Sequence, residues 1–126
     1  MTVISKQTAS HVEQAPGMKA RFDEVGDLTV SIETYDTDVD LGPLLVGLPD
    51  DACQCVHSGV VLSGQVIFTY TDGTEDVIGP GEAYVTQPGH RPRMSAGTSL
   101  VEFSKTTELA QTLDVIMKNL TAMEQA

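Results

Sequence analysis

The chain has 126 residues, and 40% of them are hydrophobic. A chain of this length can bury one core, so we expect a single domain. Its 18 acidic residues outnumber its 7 basic ones and give a formal net charge of -11. A surface with this charge repels phosphate, which argues against nucleic acid and anionic membranes as partners.

The N-terminal residues contain no apolar run of the kind that a signal peptide requires, and no segment reaches transmembrane length. Two cysteines, Cys53 and Cys55, are separated by a single residue. On a strand their Cα atoms would lie about 6.6 Å apart, near the upper limit for a disulfide. We therefore expect free thiols in a cytoplasmic protein.

Between residues 19 and 105 the chain consists of short apolar segments separated by turn residues, which is typical of β-strands. The predicted strands are 19–24, 28–34, 41–48, 53–62, 65–71, 74–78, 83–86 and 99–103. The dipeptide Asp72-Gly73 is the strongest hairpin signal in the sequence, and two prolines predict a loop over 87–92. Eight to ten short strands at this spacing indicate an all-β sandwich or barrel.

Three regions are predicted along the chain. Residues 1–18 are polar and aperiodic and should form a tail or an edge segment, and residues 19–105 should form the barrel. Residues 106–126 should form an amphipathic helix, with Thr106 or Ser104 as its N-cap. Its apolar stripe must pack on the barrel or on a second subunit, and we expect a homodimer. The stripe comprises Leu109, Leu113, Ile116, Met117, Leu120 and Met123.

Glycines at fixed spacing connect the central segment to a known family. Gly64 follows the run Cys-Gln-Cys-Val-His that ends at His57, and Gly81 is followed by Gly89 and His90. This skeleton resembles the two motifs of the cupin superfamily, G-x5-H-x-H-x3/4-E-x6-G and G-x5-P-x-G-x2-H-x3-N. The resemblance implies a double-stranded β-helix, or jelly-roll barrel, with the C-terminal α-helix added to it.

The residues at the ligand positions of those motifs differ from the family pattern. His57 stands where the family usually has glutamate, while Asp51 and Cys53 stand at the two histidine positions. In the second motif Pro92 replaces the histidine, and His90 lies two residues earlier. The resemblance therefore implies the fold and not the usual ligand set. The chain is most similar to small single-domain bacterial cupins with a Cys-x-Cys-x-His variant of the first motif.

A modified metal site is the first interpretation of these residues. On a regular strand Cys53, Cys55 and His57 share one face, and the resemblance places that face inside the barrel together with His90. Two thiols and two imidazoles favour a divalent transition metal, zinc above all, with iron, nickel and copper left open. A set of only Cys55, His57 and His90 would leave one position for water or substrate.

Structural explanations compete with this one. A buried free cysteine packs as a small hydrophobe, and a histidine inside a barrel is often a hydrogen-bonded core residue. A catalytic Cys–His pair would also need an orienting third residue, which the sequence does not reveal.

Four further residues are candidates for contact with a small-molecule ligand: Phe68, Tyr70, Tyr84 and Arg91. The aromatic residues lie on strands around the central segment, and Arg91 could hold an anionic group at the mouth of a pocket. Core packing and a surface ion pair are the alternatives.

Two functions follow from the sequence. The first is a small-molecule-binding cupin with a Cys/His metal centre, of the isomerase or oxygenase kind, in which the metal polarises a bound oxygen atom. The second is a metal-free cupin that acts as a sensor or carrier of a small ligand. The sequence leaves open whether the protein is catalytic.

Overall fold

The computed structural model describes residues 2–125, which form two antiparallel β-sheets and one C-terminal helix. The strands are β1 (His11–Ala15), β2 (Met18–Val25), β3 (Leu28–Tyr35), β4 (Val39–Asp40), β5 (His57–Ser63), β6 (Val66–Tyr70), β7 (Glu75–Ile78), β8 (Ala83–Val85), β9 (His90–Met94) and β10 (Thr98–Lys105), followed by helix α1 (Thr106–Glu124). The sheet orders are β1-β2-β3-β10-β5-β8 and β4-β9-β6-β7. The predicted jelly-roll barrel with a terminal helix is confirmed.

The core lies between the two sheets because alternate residues of each strand point inward. In β10 the inward positions Thr98, Leu100 and Ser104 are buried, while the positions between them are more exposed. The main apolar cluster draws on both sheets and contains Tyr35, Val61, Val66, Phe68, Tyr84, Met94 and Leu100. The inward positions of both sheets therefore build this core, and β3 contributes Tyr35 to it and not its alternating apolar residues Leu28, Val30 and Ile32.

The predicted hairpin at Asp72-Gly73 is confirmed. Strands β6 and β7 pair on either side of it, from Val66 opposite Ile78 to Thr69 opposite Glu75. The Asp72 side chain accepts hydrogen bonds from both the backbone N–H and the hydroxyl of Thr74, each shorter than 3 Å. These bonds stabilise the turn before any tertiary contact is made.

Residues 41–48 do not form the predicted strand. The segment contains a short 3-10 helix, Gly42–Leu45, with Pro43 in its first turn. Pro43 suits a helix start, and Gly47 adopts a φ of 109°, so the segment turns twice within a few residues. Its leucines are nevertheless buried, as expected from their apolarity, and pack under α1.

The strand predicted over 53–62 is shorter than expected at its start. β5 begins only at His57, and the preceding residues are irregular apart from an isolated bridge between Cys53 and His90. The loop predicted over 87–92 is also partly wrong, because β9 begins at His90 and includes Pro92. The nitrogen of Pro92 faces the β4 side of the strand, where the N–H of Leu41 donates to the Pro92 carbonyl oxygen. That pairing needs no N–H from Pro92, so the proline is tolerated in the strand.

Helix α1 covers one end of the barrel. Its apolar residues Leu109, Val115 and Ile116 pack on a second cluster formed by Leu45, Leu48, Cys53 and Cys55. The Asn119 side chain donates hydrogen bonds to the backbone carbonyls of Leu44 and Val46, at 2.7 and 2.9 Å. No helix within residues 2–125 has the length and apolarity needed to span a membrane.

The start of α1 differs from the prediction. Its N-cap is Lys105, and no side chain caps the first turn. Thr106 bonds instead to the hydroxyl of Thr29 at 2.8 Å, and Ser104 points into the barrel towards His57. The side chains predicted to cap the helix are therefore both engaged elsewhere.

Candidate metal centre

Three buried side chains from two separate segments meet inside the barrel. Cys53, His57 and His90 each offer one ligand atom, and these atoms lie within 4.8 Å of one another. The Sγ atom of Cys53 is 3.4 Å from Nε2 of His57. A sulfur and a nitrogen bound tetrahedrally to one zinc ion would be about 3.5 Å apart, given the usual bond lengths. The spacing therefore fits coordination of a common ion.

The turn between β8 and β9 and the start of β5 bring these segments together. The Cys53 backbone bonds to His90 in both directions, with the N–H of Cys53 donating at 2.9 Å and its carbonyl accepting at 3.2 Å. The buried hydroxyl of Thr86 accepts the backbone N–H of His57 at 2.8 Å. Backbone contacts thus position all three donors independently of any ion.

The Nδ1 atom of His57 has two polar neighbours on β10. The Ser104 hydroxyl lies 2.7 Å from it and the Glu102 carboxylate 3.0 Å. In the tautomer with its proton on Nδ1, the ring donates to the Glu102 carboxylate and the Nε2 lone pair is free on the side of Cys53. A carboxylate behind a ligating histidine is the usual way in which proteins orient such a ring.

His90 is oriented in a comparable way by the backbone. Its Nδ1 lies 2.8 Å from the carbonyl oxygen of Gln87, an acceptor, so Nδ1 carries the proton and Nε2 is free. The ring meets His57 edge-on, with centroids 5.2 Å apart, and meets Phe68 edge-on at 5.5 Å. Both histidines therefore present Nε2 to the same place.

Thr112 of helix α1 reaches the centre from outside the barrel. Its hydroxyl lies 3.4 Å from Sγ of Cys53, and it is the one residue of the described helix that is buried. A hydroxyl at this distance can donate to a thiolate, which reduces the cost of burying the negative charge. The helix therefore both covers the centre and places a polar group against its sulfur.

In the absence of an ion, burial favours the neutral form of every donor. It lowers the pKa of His57 to about 3, with a further contribution from His90, and it also lowers the pKa of His90. Burial raises the pKa of the Cys53 thiol, against the smaller opposite effect of the Thr112 hydroxyl. Neutral imidazoles are the form that binds metals, and a bound cation would displace the thiol proton.

Cys55 does not join the three donors, although it is as deeply buried as Cys53. Its Sγ lies 3.6 Å from the carbonyl oxygen of Val56, and burial followed by the proximity of Cys53 raises its pKa to about 12. The expectation that it shares a face with His57 assumed a regular strand, and this segment is irregular. Cys55 packs in the apolar cluster beneath α1.

The four candidate ligand contacts are dispersed. Phe68 and Tyr84 pack together inside the barrel, with ring centroids 5.0 Å apart, and Phe68 touches His90. Tyr70 is opposite His90 in the sheet and packs at the edge of the core. Arg91 lies outside and donates to the backbone carbonyls of Asp50 and Asp51 at 2.7 and 3.1 Å.

A polar cluster continues from His57 along the inner face of β10 and β3. The Tyr35 hydroxyl donates to the Glu33 carboxylate at 2.5 Å. Burial and then the nearby Glu33 raise the pKa of Glu102 well above its usual value. The buried Tyr84 hydroxyl lies near Glu102 but makes no well-formed hydrogen bond among residues 2–125, and burial followed by the charge of Glu102 raises its pKa. Two inward carboxyl groups thus lie beside the candidate centre.

Comparison with known proteins supports the architecture. No protein-family profile and no curated protein matches the sequence. Solved structures do match: ectoine synthase from P. lautus has a TM-score of 0.60 at 9% identity over 84% of this chain and 78% of that one. An RmlC-like cupin from Shewanella frigidimarina has a TM-score of 0.54 at 14% identity, covering 81% of this chain and 88% of that one. The chain has the cupin fold.

A third similar structure is the polyketide cyclase RemF from Streptomyces resistomycificus, with a TM-score of 0.58 at 14% identity, over 84% of this chain and 80% of that one. Identities this low show the shared fold alone. The chemistry of this chain must be argued from its own donors.

Three residues beside the candidate centre were not predicted from the sequence as site residues: Glu102, Ser104 and Thr112. Glu102 and Ser104 occupy inward positions of β10, on the same side of the strand as Leu100. Polar residues on the side that carries a buried leucine could have been recognised in the sequence as candidate site residues. Thr112 lies next to Leu113 in the apolar stripe of the helix, and nothing local distinguishes it. Its role depends on where the helix packs.

Proposed function

We propose that this cupin binds a divalent transition metal through Cys53, His57 and His90 and uses it to bind and transform a small molecule. The observation that carries the proposal is the convergence of three buried donor atoms within 4.8 Å. Both histidines present Nε2, and the sulfur lies at a spacing compatible with a shared ion. One thiolate and two imidazoles favour zinc, and imidazole also suits iron, nickel and copper.

Three protein ligands leave a coordination position free, which is the arrangement of catalytic sites and not of closed structural ones. A metal bound here would polarise an oxygen atom of water or of a bound small molecule. Ectoine synthase and a polyketide cyclase have the same fold, and their names describe enzymes. We therefore favour an enzyme of the isomerase or oxygenase kind over a purely structural metal site.

The surrounding residues of the chain would serve this chemistry in distinct ways. Glu102 keeps the proton of His57 on Nδ1, and Thr112 donates to the sulfur of Cys53. Phe68 provides an apolar wall against His90, and helix α1 excludes water from one end of the barrel. The exclusion of water strengthens every electrostatic interaction at the centre.

A metal-free ligand carrier is the second candidate. It is favoured by the direct contact of Cys53 with His57, which gives both neutral side chains a hydrogen-bond partner without any ion. The two candidates differ in one measurable property, the metal content of the native protein.

The test is metal analysis of protein purified without a histidine tag or added metal. The proposal predicts close to one equivalent of metal in the wild type, and a thiolate charge-transfer band after replacement by cobalt. Cys53→Ser and His90→Gln should lose both signals. Cys55→Ser is the matched control, since it removes an equally buried thiol that lies outside the donor group, and it should keep them.

Two outcomes would contradict the proposal. One is a wild-type protein that contains no metal and takes up no cobalt. The other is a wild type that binds metal while Cys55→Ser loses it and Cys53→Ser does not. The first outcome would leave the metal-free carrier as the remaining candidate.

A further inference from the structure

The outer side of the large sheet is unusually apolar over four adjacent strands. We call the outward-facing side chains of β3, β10, β5 and β8 the outer sheet face. They are Leu28, Val30, Ile32, Thr34, Ser99, Val101, Phe103, Lys105, Ser58, Val60, Leu62, Ala83 and Val85. Leu62 is 55% exposed and Val85 63% exposed, and Leu28 and Phe103 are also exposed. The side chains nearer the middle of the sheet, such as Val60 and Val101, are half-buried.

The outer sheet face carries no carboxylate, although the whole chain has 18 acidic residues. Its single charged side chain is Lys105, at one end of β10. The outer side of the small sheet provides the contrast, because its outward positions include Asp40, Glu75 and Arg93. Glu75 and Arg93 form an ion pair there at 2.9 Å. The acidic residues are therefore distributed over the surface but excluded from this one face.

We propose that the outer sheet face is the surface through which two copies of this chain form a two-fold symmetric dimer. A symmetric contact brings the same patch of each copy together. For a chain with a net charge of -11, a patch rich in acids would bring like charges into contact. A face without carboxylates avoids this repulsion, and its apolar side chains are complementary to a second copy of themselves.

The size and the border of the face fit this partner. Four strands of up to eight residues cover roughly 19 by 27 Å, or about 500 Å², from the usual strand spacing and rise. A standard interface buries about 800 Å² on each partner, so the face would supply its apolar centre and the flanking residues its polar rim. Neighbouring strand β2 supplies such a rim through Lys19, Arg21 and Asp23, which carry both signs of charge. Two sheets would pack here face to face, about 10 Å apart.

Helix α1 offers the competing apolar surface. Leu113, Met117 and Met123 are exposed on it. They are interspersed with the charged residues Asp114, Lys118 and Glu124, so no carboxylate-free face of comparable extent results. This surface serves as the alternative that the experiment can detect.

The experiment measures the mass of the full chain in solution by light scattering and sedimentation over a range of concentrations. We expect the wild type to be a dimer at micromolar concentration. Val85→Glu should raise the dissociation constant by roughly 100-fold or more, because it places like charges opposite one another in the contact. Val77→Glu is the matched control, since Val77 is a similarly exposed strand valine, at 53%, on the other sheet. It should remain dimeric.

Folding is monitored by circular dichroism, and Leu62→Glu provides a second exposed position if Val85→Glu does not fold. A wild type that stays monomeric up to its solubility limit would overturn the proposal. So would a dimer that is dissociated by Met117→Glu and not by Val85→Glu, since that result assigns the interface to the helix. Neither the dimer nor its test depends on the metal centre.

Discussion

The carboxylate of Glu102 lies 3.0 Å from Nδ1 of His57, and Nε2 of the same ring lies 3.4 Å from the sulfur of Cys53. Acid, imidazole and thiol therefore form a continuous line from the polar cluster of the barrel to the candidate metal centre. The same line would orient a catalytic Cys–His pair. Burial, however, keeps both the thiol and the ring neutral, which opposes a thiolate–imidazolium pair and favours metal binding.

Glu102→Gln should weaken metal binding without abolishing it. An amide oxygen still accepts the Nδ1 proton but without a negative charge, so the basicity of the ring falls. We expect a loss of about 10- to 100-fold in affinity, in line with other residues that support ligating histidines. Competition with a chelator of known affinity measures it, together with the cobalt spectrum.

Glu33→Gln is the control for this substitution. Glu33 is the neighbouring inward carboxylate and bonds to Tyr35 and Ser31. Its removal relieves the like-charge repulsion on Glu102, so the metal affinity should stay the same or rise slightly. A fall equal to that of Glu102→Gln would mean that the loss reflects the cluster as a whole and not the contact with His57.

Tyr84→Phe and Tyr35→Phe should change stability in opposite directions. The buried Tyr84 hydroxyl approaches Glu102 without a well-formed hydrogen bond among the described residues, so its removal should stabilise the fold by up to about 1 kcal/mol. The Tyr35 hydroxyl bonds to a carboxylate, and its removal should cost about 2 kcal/mol. Urea unfolding at neutral pH measures both. Destabilisation by Tyr84→Phe as large as that by Tyr35→Phe would show that the Tyr84 hydroxyl has a partner.

Alkaline pH should destabilise the protein through its buried tyrosines. Burial raises the pKa of Tyr35 and Tyr84 above the ordinary value of 10.0, so both stay protonated in the fold and ionise once the chain unfolds. The unfolded state then binds fewer protons, and stability falls as the pH rises above about 10, by up to about 1.4 kcal/mol per pH unit for each tyrosine.

Tyrosinate absorbance, recorded together with circular dichroism, checks this prediction. The chain has 3 tyrosines and no tryptophan, so the signal is unobscured. Tyr70, the least buried, should ionise first, although its pKa is also raised by burial. Tyr35 and Tyr84 should ionise only as the fold is lost. Ionisation of all three near pH 10 in a protein that retains its native spectrum would contradict the assignment.

Gly64→Ala should destabilise the barrel far more than Gly73→Ala. Both glycines have a positive φ, 77° and 87°, so alanine strains the backbone by a similar amount of about 1–2 kcal/mol. A Cβ on Gly64 would also lie 2.5 Å from Cα of Thr98, whereas a Cβ on Gly73 meets nothing within 4 Å. The clash with backbone should add about 1–3 kcal/mol. Equal losses in thermal or urea unfolding would refute this explanation.

Much of the fold follows from local sequence. Short segments bounded by turn residues identified most strands, and Asp72-Gly73 identified the hairpin. In β3, however, the alternating apolar residues Leu28, Val30 and Ile32 face outward, so alternation alone did not tell which face of the sheet borders the core. Helical periodicity identified α1, which begins at the predicted residue 106 and ends at Glu124, two residues before the predicted end. The apolar segment 41–48 was interpreted as a strand because short apolar runs do not distinguish a strand from a tight helical turn. Its burial was nevertheless correct.

The candidate site depended on the sequence only for its donor types. Cys53, His57 and His90 were named from their chemistry and spacing. Strand alternation placed Cys53 and Cys55 on the same face and could not distinguish them. The structure distinguishes them because the chain before β5 is irregular. Glu102 of β10 and Thr112 of α1 lie at least 45 residues further along the chain than His57. Only sheet pairing and helix packing bring them to the centre. Local patterns determine where a side chain points relative to its own strand. Which side chains meet across the barrel is decided by packing between distant elements, and only the tertiary structure contains that information.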